Sequence, residues 1–156
     1  MRPLPTRFAF MAALSLAAIS VGACGTISMT APAPTPADFQ GIASEIVKQR
    51  IAIDDLVSGD AGCLDPVLIP TAIGITAKGL DQTEPVRLYL YVFRNRDSFD
   101  RLRATVDDCA ASFVTDPQTF ESIEDSPFVL AGQGPWAPEF EAALRKALDI
   151  AAGTGD

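Results

Sequence analysis

The sequence predicts an α+β domain: a mainly antiparallel sheet of about four to five strands, with about three helices packed on one face. Three observations predict it. Residues 71–77 and 86–94 alternate in side-chain type with a period of two, as strands that show two different faces do. Three other segments carry apolar residues at intervals of three and four, the helical period. Their order along the chain is helix, strands, helix, strand, helix, the one expected of helices covering an antiparallel sheet. A ferredoxin-like arrangement is one candidate topology.

The chain opens with a cationic start (Arg2, Arg7), then an apolar run from Phe8 to Ile19, then small residues. This three-part layout is that of a secretory signal peptide. An uncleaved anchor and an ordinary secreted protein are the alternatives. The apolar run, about 15 residues even when stretched to Ala23, is short of the ~20 that a membrane-spanning helix needs. The end of the run, Val21-Gly22-Ala23-Cys24, is an aliphatic residue, two small residues and a cysteine. It resembles the lipobox of bacterial prolipoproteins. The resemblance covers residues 1–24. It implies cleavage before Cys24, lipidation of Cys24, and a cell-membrane lipid anchor with the domain on the extracytoplasmic side. The expected organisation is a signal peptide at 1–23, a lipid-anchored flexible tether at 24–36, one domain at 37–152 and a frayed tail at 153–156.

Removing 1–23 takes away two of the 12 basic residues and none of the 20 acidic ones, so the net charge moves from −8 to −10. No basic patch stands out, and nucleic acid is not an expected partner. Anionic headgroups would repel such a body, so the membrane is expected to hold it through lipid, and stable anchoring takes more than one acyl chain.

With Cys24 assigned to lipid, Cys63 and Cys109 remain in a compartment that permits disulfides. They are expected to pair. Two thiolates without a histidine do not complete a tetrahedral zinc shell, so no metal site and no cofactor is expected.

The elements follow in order. Residues 25–36, GTISMTAPAPTP, read as a spacer. Thr35 can cap a helix with Pro36 at its first position. Phe39, Ile42, Ala43 and Ile46 carry that helix to about Gln49. Ile51, Ile53 and Val57 suggest a short strand. Residues 58–62 form a loop to Cys63, and Asp65-Pro66 starts a single turn. Strands at 71–77 and 86–94 form a hairpin around a loop at 78–85. Ile73 and Ile75 then meet Leu88 and Leu90 on one face. On the other, Arg87, Tyr89, Tyr91 and Phe93 lie beside Ala72, Gly74 and Thr76. Phe99, Leu102, Val106, Cys109 and Phe113 mark a helix from Asp97 with Cys109 on its buried stripe. A polar stretch leads to a strand near 127–132. After a turn at 132–136, Pro138 starts a last helix with Phe140, Leu144, Ala147, Leu148 and Ala151 inward.

The chain has no histidine. That removes Ser-His-Asp and Cys-His nucleophiles and the common histidine metal sites. Carboxylates alone can still cleave glycosidic bonds. The acidic pairs Asp54 and Asp55, Asp107 and Asp108, and Glu124 and Asp125 read as solvated faces. Gly132-Gln133-Gly134 is too short for a dinucleotide fingerprint and reads as a structural turn. Asp60 and Asp65 lack the spacing of a calcium loop. The row Tyr89, Tyr91 and Phe93 is the candidate ligand surface, a shallow aromatic platform beside Gly74 and Thr76. The expected function is a lipid-anchored extracytoplasmic binding or accessory domain, with an envelope protein or small molecule as its ligand, and not an enzyme. The alternatives are a carboxylate-dependent hydrolase of cell-envelope polymer and a structural envelope protein without a ligand.

Overall fold

A computed structural model describes residues 36–153 of the chain. The leader at 1–23, Cys24, the spacer with Thr35, and residues 154–156 lie outside the described residues. Helix α1 (Pro36–Lys48) precedes strand β1 (Ile51–Ser58). A crossover loop with a 3₁₀ turn at Ile69–Thr71 leads to β2 (Ala72–Gly79) and β3 (Gln82–Val92). Helix α2 (Arg96–Ala110) follows, then β4 (Phe120–Asp125), β5 (Phe128–Gln133) and α3 (Pro138–Ala152). No described helix is long and apolar enough to cross a membrane.

The five strands form one antiparallel sheet in the order β1-β2-β3-β5-β4. The predicted register between β2 and β3 holds: Ile73 lies opposite Leu90, Gly74 opposite Tyr89, and Ile75 opposite Leu88. Period-two alternation then sorts the core into two layers. On one face Ile73, Ile75, Leu88, Leu90 and Leu130 pack against Phe39, Ile42 and Ile46 of α1 and Phe140, Leu144 and Leu148 of α3. On the other, Tyr91, Phe93, Val129 and Ala131 pack against Val106 and Cys109 of α2.

The helices are therefore shared between the faces: α1 and α3 on one, α2 on the other. The expectation of all three on one face fails for α2. Its stripe of Phe99, Leu102, Val106 and Cys109 needs an apolar partner, and the aromatic side of β3 supplies it. The ferredoxin-like candidate also fails, because β5 returns antiparallel beside β3 and no strand pair among the described residues is parallel.

Two further differences are local. The loop expected at 78–85 is a two-residue turn, Leu80 and Asp81, with Gly79 paired to Gln82. Leu80 there has a left-handed φ of 57°. Pro85 lies inside β3, where no β5 partner is present, so its missing N–H breaks no bond on that side. The Asp81 carboxylate accepts from the Glu139 and Phe140 N–H groups, both at 2.9 Å. The hairpin turn thus supplies the cap that Ala137 cannot give the first turn of α3. The polar stretch after Pro117 contains β4, which pairs with β5 over all six of its residues.

Candidate functional site

The aromatic row expected to form an open platform is mostly core. Tyr91 is 0% exposed and Phe93 2%, both beneath α2. The Tyr91 hydroxyl donates to the Ala61 carbonyl at 2.7 Å. Burial pushes its pKa well above the ordinary phenol value, with Tyr89 and Asp60 adding to the shift. Phe93 meets Phe99 edge-to-face at 5.9 Å between centroids. Tyr89 alone keeps partial access, and its ring packs on Phe113 at 4.5 Å.

The space above Gly74 is filled. A Cβ on Gly74 would collide with Arg87 Nη2 and Asp60 Oδ2, which meet there in an ion pair of 2.5 Å. Arg87 also donates through Nη1 to the Asp55 carbonyl at 2.8 Å and lies 5.8 Å from the Tyr89 ring centroid. Burial raises the Tyr89 pKa first and Asp60 second, while Arg87 opposes them.

This ion pair is one fastening of the crossover loop, residues 59–71. The Gly59 N–H donates to the Ala72 carbonyl at 2.9 Å. Ala61 and Leu68 are buried in the α2-side core. Gly62 adopts φ 73°, and a Cβ there would strike the Phe113 and Tyr89 rings. Asp65 Oδ1 accepts from the Val67 and Leu68 N–H groups at 2.8 and 3.0 Å, an Asx turn. Cys63 is bonded to Cys109 of α2, with Cα atoms 5.6 Å apart, well inside the range a disulfide spans. The expected pairing of the loop after the first strand with the end of the central helix is present. At the apex of this rigid loop Leu64 is 94% exposed.

Among the acidic pairs, Asp54, Asp55, Asp107, Asp108 and Glu124 are exposed and Asp125 is half-buried. Arg103 of α2 joins two of the pairs: it donates to Asp107 at 2.7 Å, to Ser122 at 3.1 Å and to Glu124. Asp60 and Asp65 are engaged by Arg87 and by backbone N–H groups, so their carboxylates serve the loop itself. Gly132 belongs to β5, and its neighbour Trp136 covers the aliphatic core, 5% exposed, with its indole N–H on the Gln133 carbonyl at 3.1 Å. Sequence reasoning missed Asp60 and Arg87 as partners. The available signal was a single arginine on the same strand face as Gly74.

Comparison with protein-family models, with curated proteins and with solved structures gives no match.

Proposed function

We propose that this chain is a lipid-anchored extracytoplasmic domain that acts by binding and not by catalysis. The observation that carries the compartment is the Cys63–Cys109 cross-link. It joins a loop to a helix across 46 residues, and such bonds persist where the surroundings are oxidising. A lipid on Cys24 agrees with the signal-like leader and with the proline-rich spacer before α1.

The hydrolase reading needs two carboxyls that flank a glycosidic bond, about 5–5.5 Å apart for retention and about 6.5–9.5 Å for inversion. Asp125 of β4 and Asp149 of α3 face each other across one groove. Burial first, and Asp149 after it, raise the Asp125 pKa, and Asp149 itself is exposed on α3. The binding reading keeps the preference.

Metabolic labelling with tritiated palmitate, followed by membrane fractionation, tests the anchor. The parent chain is expected to carry label and to sediment with membranes. Cys24→Ser is expected to lose both. A Cys24→Ser chain that is labelled and sediments like the parent overturns the reading.

A further inference from the structure

The sheet has two edges, and they differ. At β1 the register with β2 shifts between Asp54 and Val57, and Asp55 stands at φ 48°. A kinked edge of that kind resists a further strand. β4 is regular: Phe120–Asp125 pair with β5 without a shift, and β5 is the only described strand beside it. Helix α3 does not close this edge, because a groove of about 670 Å³ opens between it and β4.

The outward positions of β4 follow from the ladder. The Gly134 N–H donates to the Thr119 carbonyl at 2.6 Å, which makes 119 and 134 a hydrogen-bonded pair. Antiparallel pairs alternate. Glu121, Ile123 and Asp125 therefore turn their backbone groups to β5, and Phe120, Ser122 and Glu124 turn theirs to the open edge. The Phe120 N–H is spent on the Pro117 carbonyl. That leaves the Phe120 carbonyl and both backbone groups of Ser122 and of Glu124 facing outward.

Two β4 strands can meet antiparallel about a two-fold axis only in registers that set these outward residues against each other. The side chains leave one. With Glu121 as the centre, Glu121 lies opposite Glu121 of the other copy. With Ile123 as the centre, Glu121 lies opposite Asp125. With Glu124 as the centre, the two Glu124 residues meet. Like charges directly opposite are destabilising. With Phe120 as the centre, the pairing runs into the 3₁₀ turn Pro117–Thr119, which is not extended. With Ser122 as the centre, Glu124 lies opposite Phe120, Glu121 opposite Ile123 and Asp125 opposite Thr119, so no acid faces an acid. Two acids nearest this axis are also engaged within their own chain: Glu124 by Arg103, and Glu121 by the Trp136 N–H at 2.8 Å. The Ser122 register makes four main-chain bonds, two between the Ser122 residues and one from each Glu124 N–H to the Phe120 carbonyl opposite.

We propose that two copies of this chain pair through β4 in the Ser122 register, joining their sheets into one of ten strands. Where the chain outside the sheet ends favours a second copy as the occupant. A two-fold axis perpendicular to the sheet leaves both aliphatic faces, and with them both α1 helices, on the same side. Residues 24–35 lead from the lipid site to α1 and reach at most about 40 Å when fully extended. Both anchors of such a pair can therefore sit in one membrane. One strand pair is a small interface, below the ~1,200 Å² of stable complexes. Anchoring in a shared plane supplies the effective concentration that makes a small contact count. The inference thus rests on the anchor reading and adds a partner to it.

Cysteine coupling in intact cells tests the register. Hydrogen-bonded antiparallel residues have Cα atoms about 5.5 Å apart, within the range a disulfide spans. Ser122→Cys is therefore expected to give a covalent dimer on non-reducing gels after copper-phenanthroline oxidation. In the same register the two Glu124 residues are four strand positions out of line, about 13 Å, so Glu124→Cys is expected to couple at least tenfold more slowly. The parent chain, with Cys63 bonded to Cys109, should not couple. Glu124→Pro added to Ser122→Cys removes an outward N–H and spares the β5 ladder, as an edge strand allows. It should cut coupling about tenfold. Coupling of Ser122→Cys that is no faster than that of Glu124→Cys, or that Glu124→Pro leaves unmoved, overturns the proposal. Palmitate labelling of the same cells separates the two readings. Labelled chains that fail to couple overturn the pairing and leave the anchor standing; unlabelled chains that couple do the reverse.

Discussion

Replacing both Cys63 and Cys109 by alanine should lower stability while leaving the folded structure in place. The bond closes a segment of 46 residues. The chain entropy removed from the unfolded state by that closure is worth roughly 4 kcal/mol. A domain of this size is stable by on the order of 10 kcal/mol, so the loss is large but not complete. The folded loop has other fastenings. The Tyr91 hydroxyl holds Ala61 at 2.7 Å, Arg87 holds Asp60 at 2.5 Å, and Ala61 and Leu68 are buried. The cost should therefore reside in the unfolded chain. Urea unfolding followed by tryptophan fluorescence measures it. Trp136 is the one tryptophan of the chain, and it packs in the aliphatic core on the far side of the sheet, so it reports global unfolding. The expected result is a stability loss near 4 kcal/mol with an unchanged native emission spectrum. A loss below about 1 kcal/mol would refute the entropic reasoning, since it falls far under the range for a loop of this length. A near-ultraviolet circular dichroism spectrum that collapses before urea is added would show that the bond alone holds the loop.

Two smaller changes test neighbouring contacts. Tyr91→Phe leaves the ring but strips the Ala61 carbonyl of its donor, and urea unfolding should show a loss of about 1–3 kcal/mol, the cost of a buried acceptor left unpaired. Asp125→Asn should act in the opposite sense. Burial first, and Asp149 second, raise the folded-state pKa of Asp125 above its unfolded value, so stability falls as pH rises through that raised value. Thermal melts should show the asparagine variant more stable than the parent near neutral pH, with the difference closing in acid where the parent carboxyl is protonated. A constant difference across pH would contradict this sign.

The parts legible in the sequence are those where a single period dominates. Val86, Leu88, Leu90 and Val92 alternate so cleanly with Arg87, Tyr89, Tyr91 and Phe93 that strand, faces and register with Ile73 and Ile75 could all be read. The stripe from Phe99 to Phe113 placed Cys109 correctly. β4 was not legible, because it is an edge strand. Its sequence, FESIED, offers neither an apolar alternation nor an apolar run, since Glu124 faces solvent and Arg103, and only Ile123 is fully inside. The candidate site failed for a different reason. Small residues opposite Tyr89 and Tyr91 were read as open space, and space beside a sheet is also where a loop can cross. The stripe on α2 held the missing information: it required an apolar face, and the aliphatic one was already claimed by α1 and α3.

The cross-link has a place in this geometry. A five-stranded sheet measures about 19 Å between its outer strands. Two helices, each about 10 Å across, lie side by side over that width, and α1 and α3 close the aliphatic face in this way. One helix cannot close the other face. Arg103 reaches Ser122 and Glu124, so α2 lies towards β4 and β5, with Tyr91 and Phe93 beneath it. The remaining width falls to the crossover loop, whose Ala61 and Leu68 join Ala72 and Tyr91 in the same core layer. The disulfide ties these two unequal covers to each other. Beyond both, Val57 of β1 stays half in solvent, 48% exposed on the face that neither reaches. The small side chains of β2 follow from the same arrangement. A loop crossing close to a sheet has room only above residues such as Ala72 and Gly74, and at Gly74 even one added carbon would displace the Asp60–Arg87 pair that holds the loop down.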